Sequence, residues 1–262
     1  MKTVAAACAL VALTLAAPRD SRAQTFPYDH MHLAVPDQAK AVEWYATNLG
    51  AKRGDGPDRV VFGRTIFAFL KSESARPSAG SAIDHVGFSV PNVETKLKEL
   101  EAAGAKVVTA ARDIPGLFKI GFVDDPWGVR IELVEDPETR GFHHIHLRAA
   151  DPEAGLKWYL DTFGGQRAKL KDRLDAVKYT NPNVWLLIQK ADQVEPSQGH
   201  AIDHLGWAIA NVDAKISDLA SKGAKPTEPR AVRHLKVAFV DSPSGARIEM
   251  VQGRREEELT GR

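Results

Sequence analysis

The chain has 262 residues, 35 basic and 34 acidic, for a formal charge of +1. That balance, with no run of like charge, argues against nucleic acid or an anionic membrane surface as the main partner. The only cysteine is Cys8, which excludes an internal disulfide framework and leaves the body of the protein without a thiolate.

The first segment reads as a targeting signal. Lys2 precedes an apolar run over residues 4–17, Pro18 breaks it, and Ser21-Arg22-Ala23 forms a small-x-small cleavage site before Gln24. Such a run is too short for a membrane span, so residues 1–23 are expected to be a signal peptide and the mature protein to be secreted or periplasmic. Cleavage removes Lys2, Arg19, Arg22 and Asp20, leaving 32 basic against 33 acidic residues and no cysteine. About 240 residues suit two domains of ordinary size.

From there the chain states one pattern four times. Residues 31–35 suit a strand, Pro36-Asp37 ends it and caps a helix, and Gly50 stops that helix after an apolar face of Ala39, Val42, Trp44, Tyr45 and Leu49. Strands follow at 59–62 and 65–70 around a Gly63-Arg64 turn. A strand at 85–90 and a helix over 93–103 come next. Then follow strands at 106–108, 119–123 and 130–134, with Asp125-Pro126-Trp127-Gly128 as a turn.

The second half repeats this in register. His30, Asp37, Trp44-Tyr45 and Gly50 recur 114 residues later as His144, Asp151, Trp158-Tyr159 and Gly164. Ala82-Ile83-Asp84-His85 recurs as Ala201-Ile202-Asp203-His204, and Arg130-Ile131-Glu132 as Arg247-Ile248-Glu249. The expected units are therefore βαβββ, at about 27–80, 81–136, 141–198 and 199–252. They form domains over 27–136 and 141–252, with a polar seam at 136–141 and a tail over 253–262. Repeated apolar residues would need only a repeated core; a repeated His, His, Glu set asks for chemistry.

The strand-opening Asp-His, the Trp-Tyr-x₃-Leu-Gly helix end and the Asp-Pro-x-Gly-x₃-Glu closing strand resemble the vicinal oxygen chelate superfamily. It includes glyoxalase I, bleomycin and fosfomycin resistance proteins, methylmalonyl-CoA epimerase and extradiol dioxygenases. The resemblance covers about residues 27–252. It implies an α+β fold of two tandem domains, each a pair of βαβββ units forming a cupped mixed sheet with a metal on the cup floor.

By that resemblance the ligands come from the opening strands and the closing strand. Taken in chain order they are His30, His85 and Glu132, then His144, His204 and Glu249. If units 1 and 4 pair instead, the sets become His30, His204, Glu249 and His144, His85, Glu132. Two imidazoles and a carboxylate suit a divalent metal, whether Fe, Zn, Mn, Co or Ni, and leave positions open for a chelating substrate or oxygen.

His32 and His146 lie two residues beyond presumed ligands and share their strand face. They are the candidates for proton transfer, or extra ligands. His143 should face the other side, and His200 and His234 should lie on the surface. Arg130 and Arg247 read as rim cations able to meet an anionic group. Phe67, Phe69, Phe88, Trp185 and Trp207 are core residues by default, or pocket walls.

Two departures limit the reaction. The resemblance to glyoxalase I calls for a second glutamate from the last strand of the opening unit, yet 65–69 and 183–187 contain no carboxylate. Extradiol relatives carry a tyrosine where Phe122 and Phe239 stand. The leading expectation is an exported metalloenzyme of extradiol-dioxygenase type acting on a small molecule through adjacent oxygens, as a monomer or homodimer. The alternatives are a glyoxalase-like lyase or isomerase using a cup histidine as base, and a non-enzymatic binding protein of the bleomycin-resistance type.

Overall fold

The computed structural model describes residues 24–261, so the signal segment expected at 1–23 lies outside the described residues. Four βαβββ units follow in order. The first is β1 (Tyr28–Val35), α1 (Gln38–Leu49), β2 (Lys52–Arg53), β3 (Arg59–Phe62) and β4 (Thr65–Lys71). The second is β5 (Ile83–Ser89), α2 (Val93–Ala102), β6 (Lys106–Asp113), β7 (Lys119–Asp124) and β8 (Arg130–Val134). The third is β9 (Gly141–Ala149), α3 (Pro152–Phe163), β10 (Gln166–Leu170), β11 (Leu174–Thr180) and β12 (Asn183–Lys190). The fourth is β13 (Ile202–Ala208), α4 (Val212–Ser221), β14 (Arg230–Val232), β15 (Leu235–Asp241) and β16 (Arg247–Gln252), followed by a 3₁₀ turn at Glu256–Leu259. Each helix starts on a side-chain cap: Asp37, Asn92, Asp151 and Asn211 accept the backbone N–H three residues on.

The strands form two eight-stranded sheets, ordered β14-β15-β16-β13-β1-β4-β3-β2 and β10-β11-β12-β9-β5-β8-β7-β6. The tandem copies along the sequence therefore interleave in space. Units 1 and 4 build one sheet and units 2 and 3 the other, which corrects pairing in chain order. The linkers account for it. The short stretch between β8 and β9 keeps β9 in the sheet of β5, where the two run antiparallel. The longer linkers after β4 and after β12 cross between sheets and pair with each other, Ser81 with Glu195 and Arg76 with His200.

Strand alternation divides the work of the two faces. Met31 and Leu33 on β1 point into a continuous core that joins both sheets and the helices, while His30 and His32 point the other way. Phe67 crosses the gap between sheets, its ring centre 5.1 Å from that of Phe142. Phe67, Phe69, Phe88 and Trp207 are fully buried in this core, so they wall no cup. Trp44, Tyr45 and Tyr159 are buried there too, as their helix positions predict.

Units 1 and 2 remain tied through α1. Trp44 Nε1 donates to the Ala103 carbonyl at 2.8 Å, and the Tyr45 hydroxyl donates to Asp125 Oδ2 at 2.7 Å. Burial pushes the Asp125 carboxyl up to about 6, against the hydrogen bonds from Tyr45 and the Val129 and Trp127 amides that favour its charged form. In the unfolded chain it titrates near 4. Between pH 4 and 6 the native state therefore holds more protons, and this group's contribution to stability falls as pH rises through that window. The stability advantage of Asp125→Asn, which mimics the neutral acid, should grow by about 2–3 kcal/mol as pH rises from 4 to 7. Denaturant unfolding across that range checks it; a pH-independent difference would show that the carboxyl is not perturbed.

Candidate metal centres

Four bulges build the site. In the β1–β13 pairing, Tyr28 faces Trp207 and His30 faces Gly206, so Asp29 is the extra residue; His32 faces His204 and Leu33 faces Ile202, so Asp203 is another. In the β5–β9 pairing, Asp84 and His143 are skipped in the same way. A bulge bends the strand and re-aims its extra side chain. Here it turns each bulged residue back onto the histidine that follows. Asp29 Oδ2 lies 2.7 Å from His30 Nδ1, Asp84 Oδ1 2.7 Å from His85 Nδ1 and Asp203 Oδ1 2.6 Å from His204 Nδ1. His143 Nδ1 lies 2.8 Å from His144 Nδ1. The expectation that His143 faces away is corrected: simple alternation fails at a bulge.

With Nδ1 engaged, each Nε2 turns inward. His30 and His204 Nε2 lie 3.0 and 3.1 Å from Glu249 Oε2. His85 and His144 Nε2 each lie 3.1 Å from Glu132 Oε2. The grouping with units 1 and 4 paired is thus the one formed, and the chain-order sets His30, His85, Glu132 and His144, His204, Glu249 are not. All four histidines are buried. Burial favours neutral forms, yet the paired hydrogen bonds outweigh it. Glu132 and Glu249 are held far below the usual carboxylate range, and His30 and His85 are raised above the usual imidazole value by their carboxylate neighbours.

This donor set fits a metal. If the Nδ1 protons go to the supporting groups, two Nε2 lone pairs face one anionic oxygen. That arrangement requires two added protons or one divalent cation. Imidazole with an outer carboxylate behind it is the usual support for a metal-binding histidine.

His32 and His146 complete each cluster. His30, His32, His204 and Glu249 offer donor atoms within 4.8 Å of one another, as do His85, Glu132, His144 and His146. The His32 ring stacks on His204 with centres 4.3 Å apart. Nδ1 of His32 and of His146 is buried and has no hydrogen-bond partner among the described residues. Burial first, then the neighbouring histidines, push both imidazoles well below their usual value, toward the neutral form.

Register shows what stands where a second carboxylate could sit. On one side of each centre Gly206 faces Glu249, and Gly87 faces Glu132. At the corresponding places on the other side His32 faces Ala68, and His146 faces Leu187. Each centre thus pairs a Gly–Glu side with a His–apolar side. The glycines are needed: a Cβ on Gly206 would come within 2.0 Å of the His30 ring, and one on Gly87 within 2.0 Å of His144. Gly206→Ala should displace His30 and lower bound metal by about one equivalent per chain, with the second centre unaffected. Metal analysis against the wild type checks it, and unchanged content would contradict this packing.

The rims differ. In the second cup the loop after β6 brings Ile114, Leu117 and Phe118 over Leu187 and Trp185. In the first cup Leu259 from the C-terminal turn packs on Val61, Ile66 and Ala68. Arg254 from the same segment binds Asp29 through Nε and Nη2 at 2.7–3.0 Å. Two cavities flank the second centre, about 550 Å³ beside His146 and about 270 Å³ beside His85; Gln189 lines both, and Arg130 and Arg148 line the smaller one. Arg130 is paired with Asp124, and the Arg247 guanidinium lies 4.8 Å from the Phe239 ring centre. His200 is buried and donates from Nδ1 to the Pro77 carbonyl at 2.7 Å, correcting its expected surface position, whereas His234 is exposed as expected and pairs with Glu258.

No residue pattern marks Asp136, whose Oδ2 lies 3.1 Å from His143 Nε2, Arg148, 3.2 Å from Asp84, or Arg254 as part of the site, and the two glycines were not singled out either. A signal existed for the glycines: Gly87 and Gly206 each stand two residues after a ligand histidine. Arg254 has no repeat partner to mark it.

The family model of the Glyoxalase/Bleomycin resistance protein/Dioxygenase superfamily matches residues 28–133 and 141–250. The chain belongs to this superfamily, the vicinal oxygen chelate group. It is 25% identical over 127 residues to lactoylglutathione lyase of Haemophilus influenzae, a match covering 42% of this chain and 93% of that protein. Among solved structures, glyoxalase I from Zea mays is similar with TM-score 0.69 at 19% identity, covering 87% of this chain and 92% of its own. A candidate dioxygenase from Bacillus subtilis is similar with TM-score 0.63 at 16% identity, covering 89% and 87%. At these identities the structural likeness speaks for the fold alone. Among the described residues no helix is long and apolar enough to cross a membrane.

Proposed function

We propose that the protein is an exported metal-dependent enzyme whose two centres, His30, His204, Glu249 and His85, His144, Glu132, each hold a divalent metal. The carrying observation is that two imidazole nitrogens and one carboxylate oxygen converge twice, each time with outer support. A metal bound there would polarise a substrate that chelates through adjacent oxygens, leaving the surrounding side chains to orient it and move protons. Each cup is completed within one chain, so a monomer suffices.

The leading reading is an oxygenase of extradiol type. One carboxylate per centre, not two, supports it, because the place of the second is taken by His32 with Ala68 and by His146 with Leu187. The Phe122 and Phe239 rings lie edge-on to His85 and His204, at 5.4 and 5.3 Å between ring centres. They bring no hydroxyl, which leaves His32 and His146 as the groups that would accept or return a substrate proton. The same two histidines, with the sequence likeness to lactoylglutathione lyase, favour the second reading, a lyase or isomerase working by proton transfer.

Metal analysis of the purified mature protein should find up to two ions per chain, with Glu132→Ala and Glu249→Ala each losing about one. Oxygen uptake with a panel of catechols supports the first reading. Hydrogen–deuterium exchange at carbon in hydroxyketone probes, without oxygen uptake, supports the second. A protein that binds no metal after aerobic, anaerobic and metal-supplemented preparation would be a small-molecule binder instead. His32→Ala or His146→Ala should keep the metal but lower turnover by roughly 10²-fold or more. Loss of metal and rate together makes these residues ligands; unchanged rates in both remove them from the chemistry. N-terminal sequencing of protein from the native host should read from Gln24, and an intact Lys2 would contradict export by cleavage.

A further inference from the structure

The two centres share most of their supports and differ at one. Aspartates stand behind His30, His204 and His85; behind His144 stands His143. Asp29 and His143 occupy equivalent bulges, 114 residues apart. His143 is fully buried, and its Nε2 lies 3.1 Å from Asp136 Oδ2. The proton between them belongs to His143 Nε2, so His143 Nδ1 carries the lone pair and accepts the Nδ1 proton of His144. This assigns a tautomer to both rings and presents a bare Nε2 from His144 to the centre.

The supports are not equal in strength. A carboxylate acceptor draws on the Nδ1 proton and makes the opposite nitrogen a better electron-pair donor; a neutral imidazole does so less. In the first centre both histidines rest directly on carboxylates. In the second, the carboxylate of Asp136 reaches His144 only through the His143 ring. Both Asp29 and Asp136 also meet a cation, Arg254 at 2.7 Å and Lys171 at 3.0 Å, so the cations do not separate the centres and the interposed ring does. The ligands themselves are alike in type and spacing in both centres.

We infer that the two centres hold divalent metal with unequal affinity, the first more tightly, and that His143 is the positioning residue that sets the difference. The inference rests on the metal-binding reading above. The first centre then keeps its ion, while the second exchanges with the surroundings and is the one whose occupancy follows metal supply.

The test is a titration of metal-free protein with Co²⁺, followed by visible absorption in competition with a chromophoric chelator. The wild type should bind two equivalents in separate steps, about 10-fold or more apart, the usual scale for an outer-shell change. Glu249→Ala should delete the tight step and Glu132→Ala the weak one. Asp29→Asn should weaken the tight step by about 10-fold, toward the second. The double variant His143→Asp/Asp136→Asn places one carboxylate directly behind His144 and should strengthen the weak step by a similar factor. Thermal unfolding of each variant separates misfolding from a ligand effect. If only one of the two substituted proteins folds, that one decides. Two equal steps in the wild type, or the reverse order, overturn the inference while leaving metal binding intact. So does a folded Asp29→Asn or double variant with an unmoved step. Absence of any cobalt binding overturns both, and is read as missing steps rather than equal ones.

Discussion

Two buried imidazole nitrogens aimed at one carboxylate oxygen need positive charge between them. Most of the other features near the centres follow from meeting that need. The bulges at Asp29, Asp84, His143 and Asp203 exist where a side chain must turn back on its neighbour, and each supplies the hydrogen bond that aims an Nε2 inward. Gly87 and Gly206 leave room for the opposing rings. Because an unpaired buried charge is costly, the carboxylates and histidines are interdependent: removing one member leaves the others uncompensated.

Interleaving gives the centres their composition. The first takes His30 from β1, and His204 and Glu249 from β13 and β16, so residues more than 200 positions apart meet on one cup floor. The second is assembled from β5, β8 and β9 across the short link between units 2 and 3. Neither half of the sequence holds a complete centre by itself. Separating the halves would destroy both sites, although each half matches the superfamily pattern.

Much of the fold was legible because its signals are local. Helix caps at Asp37 and Asp151, glycine stops and the repeated strand patterns each depend on neighbours in the chain. The ligands were legible because residue type recurs with position. Pairing was not, since it depends on which linkers cross between sheets, and the two copies read alike under either arrangement. His143 was misplaced because strand alternation predicts the opposite face wherever no bulge intervenes. His200 was misplaced because a linker from another unit covers it. Phe67 and Phe69 alternate with Ile66 and Ala68, and only the register of β4 against β1 shows that the phenylalanines, not their neighbours, face the shared core.

Both proposed metal centres lie across the interleaved units. The most direct measurement is an anomalous difference map from crystals of the metal-loaded protein, collected at the absorption edge of the metal. Two peaks per chain are expected, one bounded by His30, His204 and Glu249 and the other by His85, His144 and Glu132. Peaks bounded by His30, His85 and Glu132, or no peak at either cluster in metal-supplemented crystals, would contradict that expectation.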